Sequence, residues 1–309
     1  MMAQPAKLGR RDLKRFGWQG IGLTIPKGWE LVSTRGDYRT GYAGLADDKN
    51  VRLEMRWDSA QGTAEPSDAA ARHIQALRKE AKKDQTDIAV RRDVKLVSLQ
   101  GKEIECYEWR AGTQGAGMVS RCDECHRMVH LVVLGDSAEP LRGLSRTIFS
   151  SLQDHPEGGG LLWRFYDVAF CSPADLPLQQ HELKTGCIRM FFGRARRRLE
   201  FARVSIASVV LGQQGLGEWF KGFYGPSLKR WRYKIDEAPS KGHSGVRLAG
   251  EAWLVADPGC LLGKRREIRV ACWHCEPSNR LFIVRHSAPR GEESVFEQAV
   301  SDVQCCPEQ

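Results

Sequence analysis

Val51-Arg52-Leu53-Glu54-Met55-Arg56-Trp57 alternates apolar and charged residues without a break, and it follows Asp47-Asp48-Lys49-Asn50, a run of turn-forming residues. A period of two marks a strand with one face buried and the other wet. Tyr42 to Ala46 before the turn completes a hairpin. The passage then returns further along the chain. Thr40-Gly41 followed by Arg52-Leu53-Glu54-Met55 recurs as Thr185-Gly186 followed by Arg198-Leu199-Glu200-Phe201. Trp18 to Pro26 has a counterpart in Trp163 to Pro173, Gly101 to Trp109 one in Gly245 to Trp253, and Cys122-Asp-Glu-Cys125 meets Cys272-Trp-His-Cys275. The offset drifts only between 144 and 150 residues, as small loop insertions produce, so the chain reads as a duplicated domain.

Length agrees: 309 residues suffice for two domains of about 150 each. The boundaries fall at 1–155 for the first repeat, whose first fifteen or so residues form a basic extension, and 161–309 for the second. Between them Pro156-Glu157-Gly158-Gly159-Gly160 reads as a linker, because consecutive glycines hold no regular element cheaply. Pro66-Ser67-Asp68 opens a helix running to Lys83, with Ala70, His73 or Ile74, and Leu77 on one stripe and basic residues opposite. Strands are expected over Val94 to Leu99, Glu103 to Arg110, Met118 to Arg121 and Met128 to Leu134, then a helix from Pro140 to Leu152. The second copy repeats this order, with strands at Phe165 to Phe170, Gly186 to Phe192, Arg198 to Leu211, Val246 to Val255, Ile268 to Cys272 and Leu281 to Val284. Its helices are Leu216 to Phe223 and Glu292 to Val303.

Hairpins joined in sequence and covered by amphipathic helices give an α+β fold made twice, each half a mostly antiparallel sheet. A pseudo-twofold arrangement would bring matching loops of the two halves together. The strand that ends in Pro26-Lys27-Gly28-Trp29, followed by hairpin strands and a helix, resembles the PsbP-like family of folds. The second copy has Pro173-Ala-Asp-Leu-Pro177 at that point and departs from the motif. That resemblance implies an architecture whose members mostly bind partners or assist assembly, and a fold by itself fixes no function.

The paired Cys-x-x-Cys sequences carry the chemistry. Placed in hairpin tips, Cys122 and Cys125 on one copy and Cys272 and Cys275 on the other would supply the tetrahedral sulfur set of a structural zinc site. A chain with no secretion signal stays in a reducing compartment, taken as the cytoplasm, where ten cysteines read as thiols or metal ligands and not as disulfides. Separate thiols, or iron in place of zinc, are the competing readings. Cys122-Asp-Glu-Cys125-His126 also fits the pattern of covalent haem attachment, but the second copy lacks the trailing histidine. A redox pair would open a helix, and both pairs lie between strands. His126 and His274 could substitute as ligands; Cys106, Cys171, Cys187 and Cys260 read as small core residues, and Cys305-Cys306 as an exposed or interfacial pair with a remote chance of touching a metal.

No nucleophile elbow, zinc-protease helix or phosphate-cradling loop is present, so the chain is expected to be a non-enzymatic binding or scaffold protein with a protein partner and no identified small-molecule substrate. No apolar run approaches the length of a membrane span. The formal charge of +9 makes it a basic protein. Its basic clusters, Arg194 to Arg198 (with Arg196 and Arg197), Lys229-Arg230-Trp231-Arg232-Tyr233-Lys234 and Lys264-Arg265-Arg266, lie in the second copy. Aromatics among cations suit a partner surface or, alternatively, nucleic acid.

Overall fold

A computed structural model describes residues 12–59, 65–155, 159–252 and 265–306. Cys260, Lys264 and the first eleven residues of the basic extension lie outside them. The described chain divides into two compact units, one built on each half, with Arg164–Tyr166 counted with the first. It is mostly antiparallel β-sheet with few helices, and no described helix is long and apolar enough to cross a membrane.

The first unit begins with a hairpin of β1 (Leu13–Trp18) and β2 (Ile21–Pro26). Leu13 to Arg15 are therefore strand, not extension. The hairpin turns through Gln19 and Gly20, both at positive φ. There follow β3 (Glu30–Gly36), β4 (Thr40–Ala46), β5 (Val51–Ser59), α1 (Pro66–Lys83), β6 (Ala89–Arg91), β7 (Lys102–Arg110), β8 (Thr113–Cys122), β9 (Arg127–Asp136) and α2 (Leu141–Ser150). The seven strands from β3 onward form one antiparallel sheet in the order β3-β4-β5-β9-β8-β7-β6. Val94 to Leu99 is not a strand; the short β6 takes the sheet edge instead.

The alternation of β5 works as its sequence implies. Leu53, Met55 and Trp57 face Val133, Leu131 and Val129 of β9 in register, and all six are buried. On the opposite face α1 lays Ala70 and Ile74 on Tyr107, Trp109, Val119 and Val132. Two glycines of β8 make room there: Gly115 lies under the Trp109 ring and Gly117 under the Tyr107 ring, so a Cβ at either would overlap the aromatic ring.

The second half of the chain contains β10 (Gly160–Phe165), whose end from Arg164 counts with the first unit, β11 (Val168–Pro173), β12 (Leu178–Lys184), β13 (Cys187–Arg194), β14 (Arg197–Ser205), α3 (Ala207–Leu211), α4 (Leu216–Leu228), β15 (Trp231–Glu237), β16 (Gly245–Ala252), β17 (Arg266–Cys275), β18 (Arg280–Pro289) and α5 (Glu293–Asp302). Gly160 belongs to β10 and not to a linker, and Tyr166-Asp167 form a turn inside the stretch read as one strand from Phe165 to Phe170. The sheet order is β12-β13-β14-β18-β17-β16-β15, which repeats that of the first unit strand for strand. α4 covers one face, where Trp219, Phe220, Tyr224 and Leu228 pack on Val246, Leu248, Ile268, Val270, Cys272 and Ile283.

The hairpin read as Ile268 to Cys272 and Leu281 to Val284 is longer than its sequence suggests. β17 and β18 have ten residues each, as β8 and β9 do, and every boundary is displaced by 153: 113 to 266, 122 to 275, 127 to 280, 136 to 289. The Cys-x-x-Cys pairs are offset by 150, three short of this register, so by structure Cys122 corresponds to Cys275 and not to Cys272. The turns confirm the register, since His126 and Asn279 both adopt positive φ at their last position (56° and 51°).

Candidate metal centres

A three-residue displacement decides what each cysteine can do. Residues an odd number of positions apart on a strand point to opposite faces. Cys272 and Cys275 both lie on β17, so Cys272 enters the core under α4, fully buried, while Cys275 faces the other way. Burial in that apolar setting pushes the Cys272 thiol far above its ordinary pKa. A ligand must be a thiolate, and this position resists becoming one. The expected four-sulfur set of Cys122, Cys125, Cys272 and Cys275 is therefore corrected at Cys272. In the first unit the strand ends at Cys122, and Cys125 sits in the turn, free of that constraint.

The described residues instead bring together two Cys/His groups able to hold a metal ion, one in each unit: Cys122, Cys125, Asp154 and His155, and His243, Cys275, Cys305 and Cys306. In each group the donor atoms lie within 4.8 Å of one another. Both are built alike. A cysteine ending the long hairpin strand meets the two residues that the chain delivers after its closing helix. That return segment is pinned by main-chain bonds: Gly22 N donates to Gln153 O at 2.7 Å in the first unit, and Gln304 N to Ala169 O at 2.8 Å in the second. Cys305-Cys306 thus sits where Asp154-His155 does.

The second group has the closer metal geometry. A tetrahedral zinc with Zn–S of about 2.3 Å and Zn–N of about 2.0 Å separates its ligands by about 3.8 Å (S to S) and about 3.5 Å (S to N). Cys306 Sγ lies 3.9 Å from both Cys275 Sγ and Cys305 Sγ, and 3.3 Å from His243 Nε2. Three sulfurs and one imidazole form a recurrent closed zinc set. Without an ion, Cys306 is pushed up to about 11 by loss of solvation and by the neighbouring sulfurs, so only a bound cation would hold these sulfurs together as thiolates.

The first group is more polar, with a carboxylate in place of a third sulfur. Cys122 Sγ lies 2.7 Å from His155 Nε2, a hydrogen bond rather than a ligand–ligand edge. Burial raises the Cys122 pKa, but the backbone N–H groups of Cys125 and Glu124 and the His155 ring outweigh it and leave the thiol more acidic than usual. Cys125 moves the other way, through burial and its neighbour Cys122. Asp154, 2% exposed, accepts from Lys102 Nζ at Oδ1, while its Oδ2 is buried with no hydrogen-bond partner. An orphaned carboxylate oxygen next to two sulfurs and an imidazole suits a cation.

His126 and His274 join neither group; His126 is an exposed turn residue and His274 stays on β17. The histidines that do, His155 and His243, lie far along the sequence from the cysteines they meet, so spacing alone could not reveal them. Cys305-Cys306 was visible as a pair, but only the course of the chain after α5 shows what it reaches.

The other candidate surface is divided. Arg197 is held inside the unit by Asp175 and by Glu292 at 2.6 Å. Trp231 packs on the α4 core and its ring lies 5.5 Å below the Arg266 guanidinium, so it is no open platform for a base. Arg232, Tyr233 and Lys234 are exposed on β15, the last strand of its sheet, with Lys234 2.7 Å from Asp236. Lys229 and Arg230 are exposed where α4 ends, and Arg196 is half-buried in the β13–β14 turn.

No protein-family model matches the chain, and no curated protein does. Among solved structures it is similar to the cyanobacterial PsbP protein CyanoP from Synechocystis sp. PCC 6803, with 13% identity, a TM-score of 0.36, and coverage of 50% of this chain and 99% of that one. It is also similar to the immunity protein TplEi of the T6SS from Pseudomonas aeruginosa, solved with an "L" peptide, with 12% identity, a TM-score of 0.35, and coverage of 97% and 100%. The PsbP-like resemblance is thus a weak one at the level of fold, and nothing of what those proteins do carries over.

Proposed function

We propose that this is a non-enzymatic protein-binding module of two homologous α+β domains, in which a structural zinc ion held by His243, Cys275, Cys305 and Cys306 fixes the end of the second domain. The carrying observation is that Cys306 Sγ stands 3.9 Å from two sulfurs and 3.3 Å from an imidazole nitrogen, close to the edges of a zinc tetrahedron, with all four donor atoms within 4.8 Å of one another. Such an ion ties the residues after α5 to the tip of β17, and its binding free energy becomes folding free energy. The first-domain group, with its internal Cys122–His155 bond, binds zinc more weakly.

Of the surfaces on the second domain, the β15 edge suits a protein partner best. Among the described residues its outer edge carries no further strand and can accept one, and the exposed Lys234 favours an acidic partner. The nucleic-acid alternative gains less, since Trp231 and Arg197 are already engaged within the domain.

Elemental analysis of the purified full chain after dialysis against a mild chelator should find one tightly held zinc per chain, absent from Cys306→Ser. Unchanged zinc in Cys306→Ser, or no zinc in the parent protein, would overturn the assignment.

A further inference from the structure

The two Cys-x-x-Cys sequences share a spacing but not its consequence. On the continuous strand β17, residues three apart stand about 10 Å from each other, so Cys272 and Cys275 cannot meet. β8 ends at Cys122, and the chain then makes one helical turn that does not continue, closed by His126 N donating to Cys122 O at 3.0 Å. Asp123 N, donating to Gly101 O at 3.1 Å, ties that turn to the neighbouring strand. Such a turn sets Cα atoms three residues apart at about 5 Å, inside the span of about 4.4–6.8 Å that a disulfide bridges. The sulfurs of Cys122 and Cys125 already lie within 4.8 Å of each other, so side-chain rotation closes the gap while the backbone stays in place.

A redox pair at a helix start is served by backbone N–H groups, and this turn supplies equivalents. Glu124 N donates to Cys122 Sγ at 3.3 Å, and His155 Nε2 lies 2.7 Å from the same sulfur. Arg127, buried with Nε and Nη1 unpartnered, places a fixed positive charge beside Cys125 and Asp154. That charge weakens the hold on a divalent cation and leaves this group the freer of the two for sulfur chemistry. The two thiols also differ in access. Cys125 is exposed and Cys122 only 2% so, which means that a solute reaches Cys125 first.

We propose that Cys122 and Cys125 are a reversible oxidation site, closing to a disulfide by exchange with a small disulfide such as oxidised glutathione. Cys125, as thiolate, attacks one sulfur of the small disulfide, forming a mixed disulfide and expelling one thiolate. Cys122 then gives its proton to His155 Nε2 and attacks Cys125 Sγ, which breaks the mixed disulfide and expels the second thiolate. Two protein thiols are oxidised to one disulfide, and the small disulfide is reduced to two thiols that take up the two protons. Closure withdraws both sulfurs from the first-domain metal group. The zinc ion proposed for the second domain uses none of these residues, so the two proposals stand or fall separately.

The test is thiol mapping of the full chain, dialysed against a mild chelator and equilibrated with reduced and oxidised glutathione. Free thiols are blocked with N-ethylmaleimide, disulfides are reduced, and the released thiols are labelled with iodoacetamide before peptide mass spectrometry. The peptide holding Cys122 and Cys125 should carry two iodoacetamide labels, at about tenfold the labelling of the buried Cys106 and Cys272. Cys122→Ser should retain glutathione on Cys125, whereas Cys125→Ser should leave Cys122 free. The parent map needs no variant, so it decides the matter even if Cys122→Ser folds poorly. Both thiols free in the parent while its zinc content is unchanged would overturn this proposal alone. Oxidation of Cys275, Cys305 or Cys306 in their place would overturn it as well. Equal glutathione uptake by Cys122 in Cys125→Ser and by Cys125 in Cys122→Ser would refute the order of attack.

Discussion

At the scale of single residues, the decisive contrast is Cys272 against Cys275. Both belong to one Cys-x-x-Cys, yet one is core and the other a candidate ligand, because β17 continues through both. Cys272→Ala should therefore keep the full zinc content and cost only about 1 kcal/mol of stability, as a small core truncation does. Zinc loss in that variant, measured by elemental analysis, would return Cys272 to the ligand set. A second residue-level feature is the chain His73–Tyr107–His130, in which the tyrosine hydroxyl lies 2.6 Å from His73 Nδ1 and 2.7 Å from His130 Nε2. Burial lowers His73 to about 4 and His130 to about 3, so the folded state holds both neutral. The unfolded chain takes up their protons near pH 6.5, so stability is fully present above that pH and is lost as pH falls from about 6.5 toward about 4 and below. His73→Asn offers an oxygen where Nδ1 was and cannot titrate. Chemical denaturation at pH 7 and pH 5 should show a smaller stability loss for this variant than for the parent chain; an equal loss would remove these histidines from the acid response.

At the scale of elements, much was legible. α1 runs from Pro66 to Lys83 as its capping proline and apolar stripe imply, and the β4–β5 hairpin turns at Asp47, whose Oδ1 accepts from the N–H groups of Lys49 and Asn50. What escaped was strand length. Asn279 carries the turn that ends the β17–β18 hairpin, but Glu276-Pro277-Ser278-Asn279 has no visible likeness to Asp123-Glu124-Cys125-His126, and a shared Cys-x-x-Cys was the stronger-looking match. β1, β3, β12 and β15 were missed or underread because edge and hairpin strands expose polar residues and lose clean alternation, as the pattern of β12 shows. The glycine–aromatic pairs are an element-level device of the same kind, since they set cross-strand packing without any local signal. Gly117→Ala, which drives a methyl into the Tyr107 ring, should destabilise the chain by about 2 kcal/mol in denaturant titration. A change below about 0.5 kcal/mol would show that the ring moves freely.

At the scale of the whole molecule, a recurring order of elements was readable and the sites it builds were not. Both units repeat one sheet order, and both return the chain after the closing helix to the tip of the long hairpin. A Cys/His group able to hold a metal ion stands at that point in each, with cysteine at 305 and 306 in one unit and Asp154 and His155 in the other. Sequence spacing placed the metal between four matched thiols because it sees residues near in the chain, whereas folding selects residues near in space. The most direct measurement is the zinc content of Cys122→Ser beside that of Cys275→Ser after dialysis against a mild chelator. Separate centres require the tight equivalent to survive in Cys122→Ser and vanish in Cys275→Ser; loss of that equivalent from both would contradict them and restore one shared ion.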